Sequence, residues 1–339
     1  MTARAGLAVQ SDKTLADYER LAAAAEQHGF DVLSVYGDLW FQPPIVALMA
    51  MARATSRVTL GPACLSPFVV HPIDIAAQIA ALDAASAGRA YLGLSRGGWL
   101  GELGVTRRGS MQGVLEAARV AGALLAGDTG GIPGVRFALA PGARLRDGLP
   151  RRRVPLLVGT WGRRLATAAG ALADEVKVGG SANPSMVRLL RGWVLEGAAD
   201  DGTAPRAEPR QVGLVAGAVT VVDEDGRAAR RRAREEVAMY LDVVGAFDQT
   251  VQLPAGLLEA LHARLAARDT AAAASLIPDE VLDCFAFAGS PEAVARHAAA
   301  VVEAGADRVE FGTPHGLSAR AGIELLGSRV LPALREARP

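Results

Sequence analysis

Five times along the chain a helical stretch ends on a small or glycine residue, a polar residue follows, and a short apolar run begins. The segments are HGFDVLSVYG, ATSRVTLGP, SAGRAYLGLS, ALADEVKVGG and AGADRVEFGTP, ending near positions 37, 62, 95, 180 and 314. They are not close sequence repeats. Each still spells helix, tight turn, parallel strand and loop, and where the turn carries glycine that residue accepts the left-handed conformation that ends a helix. The apolar runs have the length and composition of strands. Adding Ala5–Val9, Val154–Gly159 and Val212–Val222 gives eight strand candidates alternating with helices. Eight such units predict a (β/α)8 TIM barrel whose site lies on the loops after the strands. A doubly wound open sheet is the competing architecture.

The stretch Arg57–Trp99 places the site more closely. Val58 and Leu60 begin a strand that Gly61-Pro62 interrupts, and the apolar run continues to Leu65. Ile75, Ile79 and Leu82 recur at helical spacing between Pro72 and Ala85, with Pro72 suited to a first turn. Gly88 ends that helix, and Ala90–Leu94 begins the next strand. Ligands of such βαβ units bind beyond the carboxyl ends of the strands, here Ala63–Pro67 and Ser95–Trp99.

Two long connections interrupt the alternation. One, around 100–150, holds a helix over Gln112–Ala126 and a hairpin through Phe137 and Pro141-Gly142. The other, around 242–280, reads as mainly helical, with Leu257, Leu261 and Leu265 four apart. Connections this long usually cover a site or make an interface. No linker composition splits the chain, so all 339 residues read as one domain.

Composition excludes several classes. Formal net charge is zero, which argues against a nucleic-acid partner. The basic residues are almost all arginine, with only Lys13 and Lys177 as lysines. Two cysteines, Cys64 and Cys284, make neither a disulfide framework nor a metal spacing, and point to a reducing, cytoplasmic setting. The N-terminus lacks a signal-peptide pattern, and no apolar run approaches the roughly 18 residues of a membrane span. The five histidines show no metal-ligand spacing, so no metal is expected; His71, before Pro72, reads as a helix cap or a cofactor-side residue.

LGPACLSPFVVHP followed by AALDAASAGRAYLGLSRG resembles the luciferase-like superfamily, in its deazaflavin-dependent methylene-tetrahydromethanopterin reductase branch. The resemblance continues at Val154–Gly162, Phe287–Glu292 and Phe311–Pro314 and spans about residues 5 to 335. It implies a barrel that binds coenzyme F420, or alternatively FMN, usually as a homodimer acting on a small-molecule substrate. It also implies a non-prolyl cis peptide at Ala63–Cys64, pressing on the back of the cofactor ring. Cofactor contacts are then expected from Ala63, Cys64, Ser95 and Gly97, and from two glycine turns at helix starts, Gly159-Thr160-Trp161-Gly162 and Gly179-Gly180-Ser181. Arg163 or Arg164 would face an anionic tail. Asp38 stands where relatives place an acidic residue or an Asp-His pair, although Leu39 follows here. Relatives have a carboxylate near Gly98, and Glu102, four positions on, is the candidate to compensate. Trp40, Arg96, Trp99 and His315 are expected around the substrate. The resulting expectation is hydride transfer to an imine, methylene-iminium or activated alkene. The rivals are an FMN-dependent monooxygenase and a flavin-binding barrel without catalysis.

Overall fold

The computed structural model describes residues 3–105, 110–150, 152–199 and 210–336. Among these described residues are nine strands: β1 (Arg4–Val9), β2 (Val32–Val35), β3 (Thr59–Pro62), β4 (Leu92–Ser95), β5 (Leu156–Gly159), β6 (Glu175–Gly179), β7 (Gly213–Val222), β8 (Ala286–Gly289) and β9 (Arg308–Gly316). Eight follow one another in the order β3-β2-β1-β9-β7-β6-β5-β4, all parallel. Bridges Leu60–Ala90 and Leu65–Leu94 close β3 onto β4, so the sheet is a (β/α)8 TIM barrel and not an open sheet. The eight sequence-derived candidates are those barrel strands. The ninth, β8, was not among them: it pairs with β7 at Val219–Val222, beyond the point where β6 leaves at Gly217.

The helices after the strands are α1 (Leu15–Gln27), α2 (Pro44–Ala54), α3 (Pro72–Ala85), α4 (Ser110–Ala126), α5 (Arg163–Gly170), α6 (Pro184–Ala199) and α7 (Gly226–Val244). The second long connection supplies α8 (Leu257–Ala266), α9 (Thr270–Ser275) and α10 (Asp279–Phe285); α11 (Pro291–Glu303), α12 (Ala319–Leu325) and α13 (Leu331–Glu336) complete the chain. Caps explain where they start. Thr14, Asp225, Ser290 and Ser318 each accept from first-turn amides, and His71 Nδ1 accepts from Ile73 N, which makes His71 a cap. Among the described residues no helix is long and apolar enough to cross a membrane.

Alternation along the strands sorts side chains into two environments. Outward residues such as Leu7, Leu33, Leu60, Leu94 and Val158 pack against the helices in one large core. Inward residues form a small cluster of Val32, Tyr91, Leu157 and Val215 with Cys64 beside it. Few large side chains fit inside, so their neighbours are bare: a Cβ on Gly61 would come within 2.5 Å of the Tyr91 ring. A separate core joins α7, β8 and the helices α8–α10 through residues such as Val237, Leu241, Leu261 and Phe285.

In the first long connection, Glu116 of α4 is buried and holds the loop that follows. Its carboxylate accepts from the amides of Val135 at 3.0 Å, Arg136 at 2.9 Å and Phe137 at 3.0 Å. The expected hairpin is a single antiparallel bridge, Ile132–Leu139. Burial alone would raise the Glu116 carboxyl, but those amides outweigh it and hold it down from 4.5 to about 2. A folded value below the unfolded one stabilises the protein above about pH 5, and that contribution disappears as pH falls toward 2. At 1.36 kcal/mol per pH unit it amounts to about 3 kcal/mol. Glu116→Gln should therefore lose up to about 3 kcal/mol at neutral pH and less in acid, read by urea melts between pH 2 and 7.

Candidate active site

The barrel opens at its carboxyl end into a cavity of about 1040 Å³, at the upper limit for small-molecule sites. The Ala63–Cys64 peptide on its wall is cis, where the resemblance placed it. This turn follows β3, and the strand path resumes at Leu65, whose amide donates to Gly93 O. Gly159 lies opposite: a Cβ there would sit 3.0 Å from Cys64 Sγ. Burial pushes the Cys64 thiol up to about 11, so it is no nucleophile at neutral pH.

Of the expected contacts, Ser95, Gly97, Gly159, Thr160, Trp161, Gly162, Gly179 and Gly180 line the cavity with Ala63 and Cys64. Ser181 does not. It is fully buried, its amide and that of Gly180 both donate to Gly217 O, and its hydroxyl accepts from Asn183 N. The Gly179–Ser181 turn thus spends its amides inside the fold and is not an open anion cradle. At the other turn, Gly162 N donates to Thr160 Oγ1 and Trp161 Nε1 to Gly179 O, tying the ends of β5 and β6 together. Arg163, Arg164 and Leu165 of the first turn of α5 remain on the cavity wall.

Asp38, Trp40, Arg96, Trp99 and Glu102 also line the cavity. Asp38 Oδ2 accepts from Gln10 Nε2 at 2.9 Å. Burial raises its carboxyl above the ordinary value, against opposing pulls from Gln10 and Lys177. Glu102 instead stands at the exposed rim and accepts from Trp40 Nε1 at 3.1 Å. Trp40 is 74% exposed and Trp99 40%, and both backbones are left-handed, with φ of 69° and 49°. Such values are costly outside glycine. His315 is not at the cavity: it is 1% exposed, and its Nε2 meets Ala8 O at 3.0 Å. Burial depresses it to about 4, so it stays neutral.

Sequence reading missed the floor and one wall. The floor holds Lys177, 4% exposed, whose Nζ donates to Glu310 Oε1. Glu310 Oε2 accepts from Ser34 Oγ at 2.7 Å and Arg308 Nη1 at 3.1 Å. Burial alone would raise Glu310, but Lys177 and Arg308 outweigh it and keep the carboxylate below its ordinary range. The missed wall is α7 and the turn after it, with Glu236, Met239, Tyr240 and Phe247. Burial raises Glu236 too, but Arg232 pairs with it. The signal for the floor was present: within β6 and β9, charges stand at alternate, inward positions.

Residues 1–308 match the family described as luciferase-like monooxygenase. The 5,10-methylenetetrahydromethanopterin reductase of Archaeoglobus fulgidus is 26% identical over 341 residues, covering 97% of this chain and 99% of that protein. Among solved structures, the coenzyme F420 dependent tetrahydromethanopterin reductase from Methanopyrus kandleri superposes with a TM-score of 0.85 at 22% identity, covering 98% of this chain and all of that one. An F420-dependent secondary alcohol dehydrogenase in complex with an F420-acetone adduct gives 0.79 at 20% identity, over 99% and 100% of the two chains. These structural likenesses bear on the fold, which agrees with the closed barrel described above. On the match over residues 1–308, the chain belongs to the luciferase-like monooxygenase family.

Proposed function

We propose that the protein is an F420-dependent oxidoreductase that reduces an unsaturated small molecule, an imine, methylene-iminium or activated alkene. The observation that carries the reading is the cavity itself: a space of about 1040 Å³ over the Ala63–Cys64 turn, with glycines and a raised carboxyl on its lining. The relatives with similar names and the F420-bound neighbour support it. The residues present fit a flat tricyclic group: the cis turn, Gly97, Gly159 and Gly179 present little side chain, and the volume leaves room for a second molecule. The first turn of α5, with Arg163 and Arg164, would hold its anionic tail.

Bound there, the reduced deazaflavin supplies a hydride. The chain's part is to orient the two partners, exclude water and deliver a proton. Asp38 is the proton donor: burial keeps its carboxyl protonated to higher pH than an ordinary aspartic acid, and Gln10 fixes its orientation. Hydride plus proton balance the reduction of an imine or alkene, whereas an iminium needs the hydride alone.

Trp40 and Trp99 flank the mouth and would hold the substrate by their faces. Either tryptophan replaced by alanine should raise KM about tenfold with kcat little changed, the mark of lost uniform binding. Titration with oxidised F420 and, separately, FMN tests the cofactor by absorbance and fluorescence. Tight binding of the deazaflavin, followed by turnover of imines or enones, supports the proposal. Preference for FMN with oxygen consumption moves it to a monooxygenase, and binding of neither overturns it.

A further inference from the structure

We propose that Lys177 is the cation that meets the electron-rich edge of the bound cofactor ring and favours its reduced state. The assignment rests on the F420 reading above and adds a residue to it. Five side chains of alternating charge run through the barrel, from its amino-terminal rim to the cavity floor. Arg4 Nη1 meets Glu175 Oε1 at 3.5 Å, and Arg308 Nη2 donates to Glu175 Oε2 at 2.6 Å. Arg308 also donates to Glu310, and Lys177 to the other oxygen of Glu310. Each carboxylate is flanked by two cations, and both ends of the chain are positive. One end is Arg4, exposed at the rim; the other is Lys177, at the cavity floor.

A purely space-filling role fits poorly. Buried ion pairs seldom stabilise a fold better than apolar residues of the same size, and this interior already holds Val32, Leu157 and Val215. The geometry around the lysine instead makes room for it. A Cβ on Gly217 would stand 3.3 Å from Lys177 Cε, and one on Gly179 3.6 Å. The ammonium lies 5.8 Å from the centroid of the Tyr36 ring. Glu310 takes one of its three donors. The charge also reaches the chemistry, since it pulls on both Asp38 and Cys64 across the cavity wall.

A ring carrying two more electrons is more negative at its oxygen and nitrogen edge. A fixed cation in a water-poor site therefore binds that form more tightly, with no reorganisation at the moment of reaction. The ion chain beneath holds Lys177 in place, so Glu310 and Arg308 are positioning residues.

The test compares binding of oxidised and chemically reduced F420, under anaerobic conditions, to wild type, Lys177→Gln and Lys177→Arg. Glutamine keeps a donor toward Glu310 and removes the charge; arginine keeps the charge. The glutamine variant should lose about tenfold more affinity for the reduced than for the oxidised cofactor, and arginine should restore most of it. Equal losses for the two forms, or none, overturn the assignment. Should glutamine prevent folding, the double variant Lys177→Met with Glu310→Leu removes the pair together, and an unchanged preference in it likewise overturns the assignment. A wild type that binds F420 in neither form overturns the cofactor reading itself, and this assignment with it.

Discussion

Asp38→Asn is expected to lower kcat for imine or enone reduction by about 10²- to 10⁴-fold, the usual contribution of a placed general acid. Asparagine keeps the size and the bond from Gln10 Nε2, now 2.9 Å long, so cofactor affinity and thermal stability should hold. The pH profile carries the sign. Burial raises the Asp38 carboxyl, so the protonated, active form persists above the ordinary value of 3.8 and the rate falls as pH rises through the raised one. In the asparagine variant that limb should vanish. A variant with full turnover and the same pH limb would move the proton donor to Glu236 or to water.

Glu310→Ala should have the largest effect on stability, about 3–5 kcal/mol, because it leaves Lys177 without its carboxylate in a dry interior. Arg308 still has Glu175, so the unpaired charge falls mainly on the lysine. Equilibrium denaturation at pH 7 measures it, and a loss under about 1 kcal/mol would mean that water reaches the pair. The same carboxylate links stability to pH. Its folded value lies below the ordinary 4.5, so its contribution is complete above that value and fades as pH falls through the folded one. The double replacement by methionine and leucine should recover most of the stability.

Much of the fold was legible because its signals are local. A small or glycine residue after a helix, then a polar residue, then a short apolar run marked five of the barrel strands, and apolar runs alone marked β1, β5 and β7. The strand β8, no shorter than β2 to β5, escaped because Ala286–Gly289 follows the short helix α10 directly, with no turn residue between them. The floor of the site was hidden for another reason. In DEVKVGG and DRVEFG the charges stood next to turn residues and read as the polar start of a strand. Only the closed sheet, with Lys177 level with Val215 and Glu310 level with Gly217, turns those alternate positions toward one another. His315 was misplaced through the same ambiguity: the strand β9 runs past Pro314, which carries the ring back to Ala8 instead of out over the cavity. The wall from Met239 to Phe247 was legible only in part: the connection around 242–280 was expected to cover a site or make an interface, but no local pattern says that the end of α7, with Met239 and Tyr240, faces the cavity.

The two apolar cores divide labour between permanence and change. The ion chain and the cis turn belong to the barrel, while Met239, Tyr240 and Phe247 ride on α7 and the turn after it, whose packing against β8 and the later helices forms its own core. Substitutions in that second core can therefore reshape one side of the cavity while the Ala63–Cys64 turn and the ion chain, which lie outside it, keep their places. A single scaffold built this way can vary one wall of its cavity while the floor and the turn beside it stay where they are.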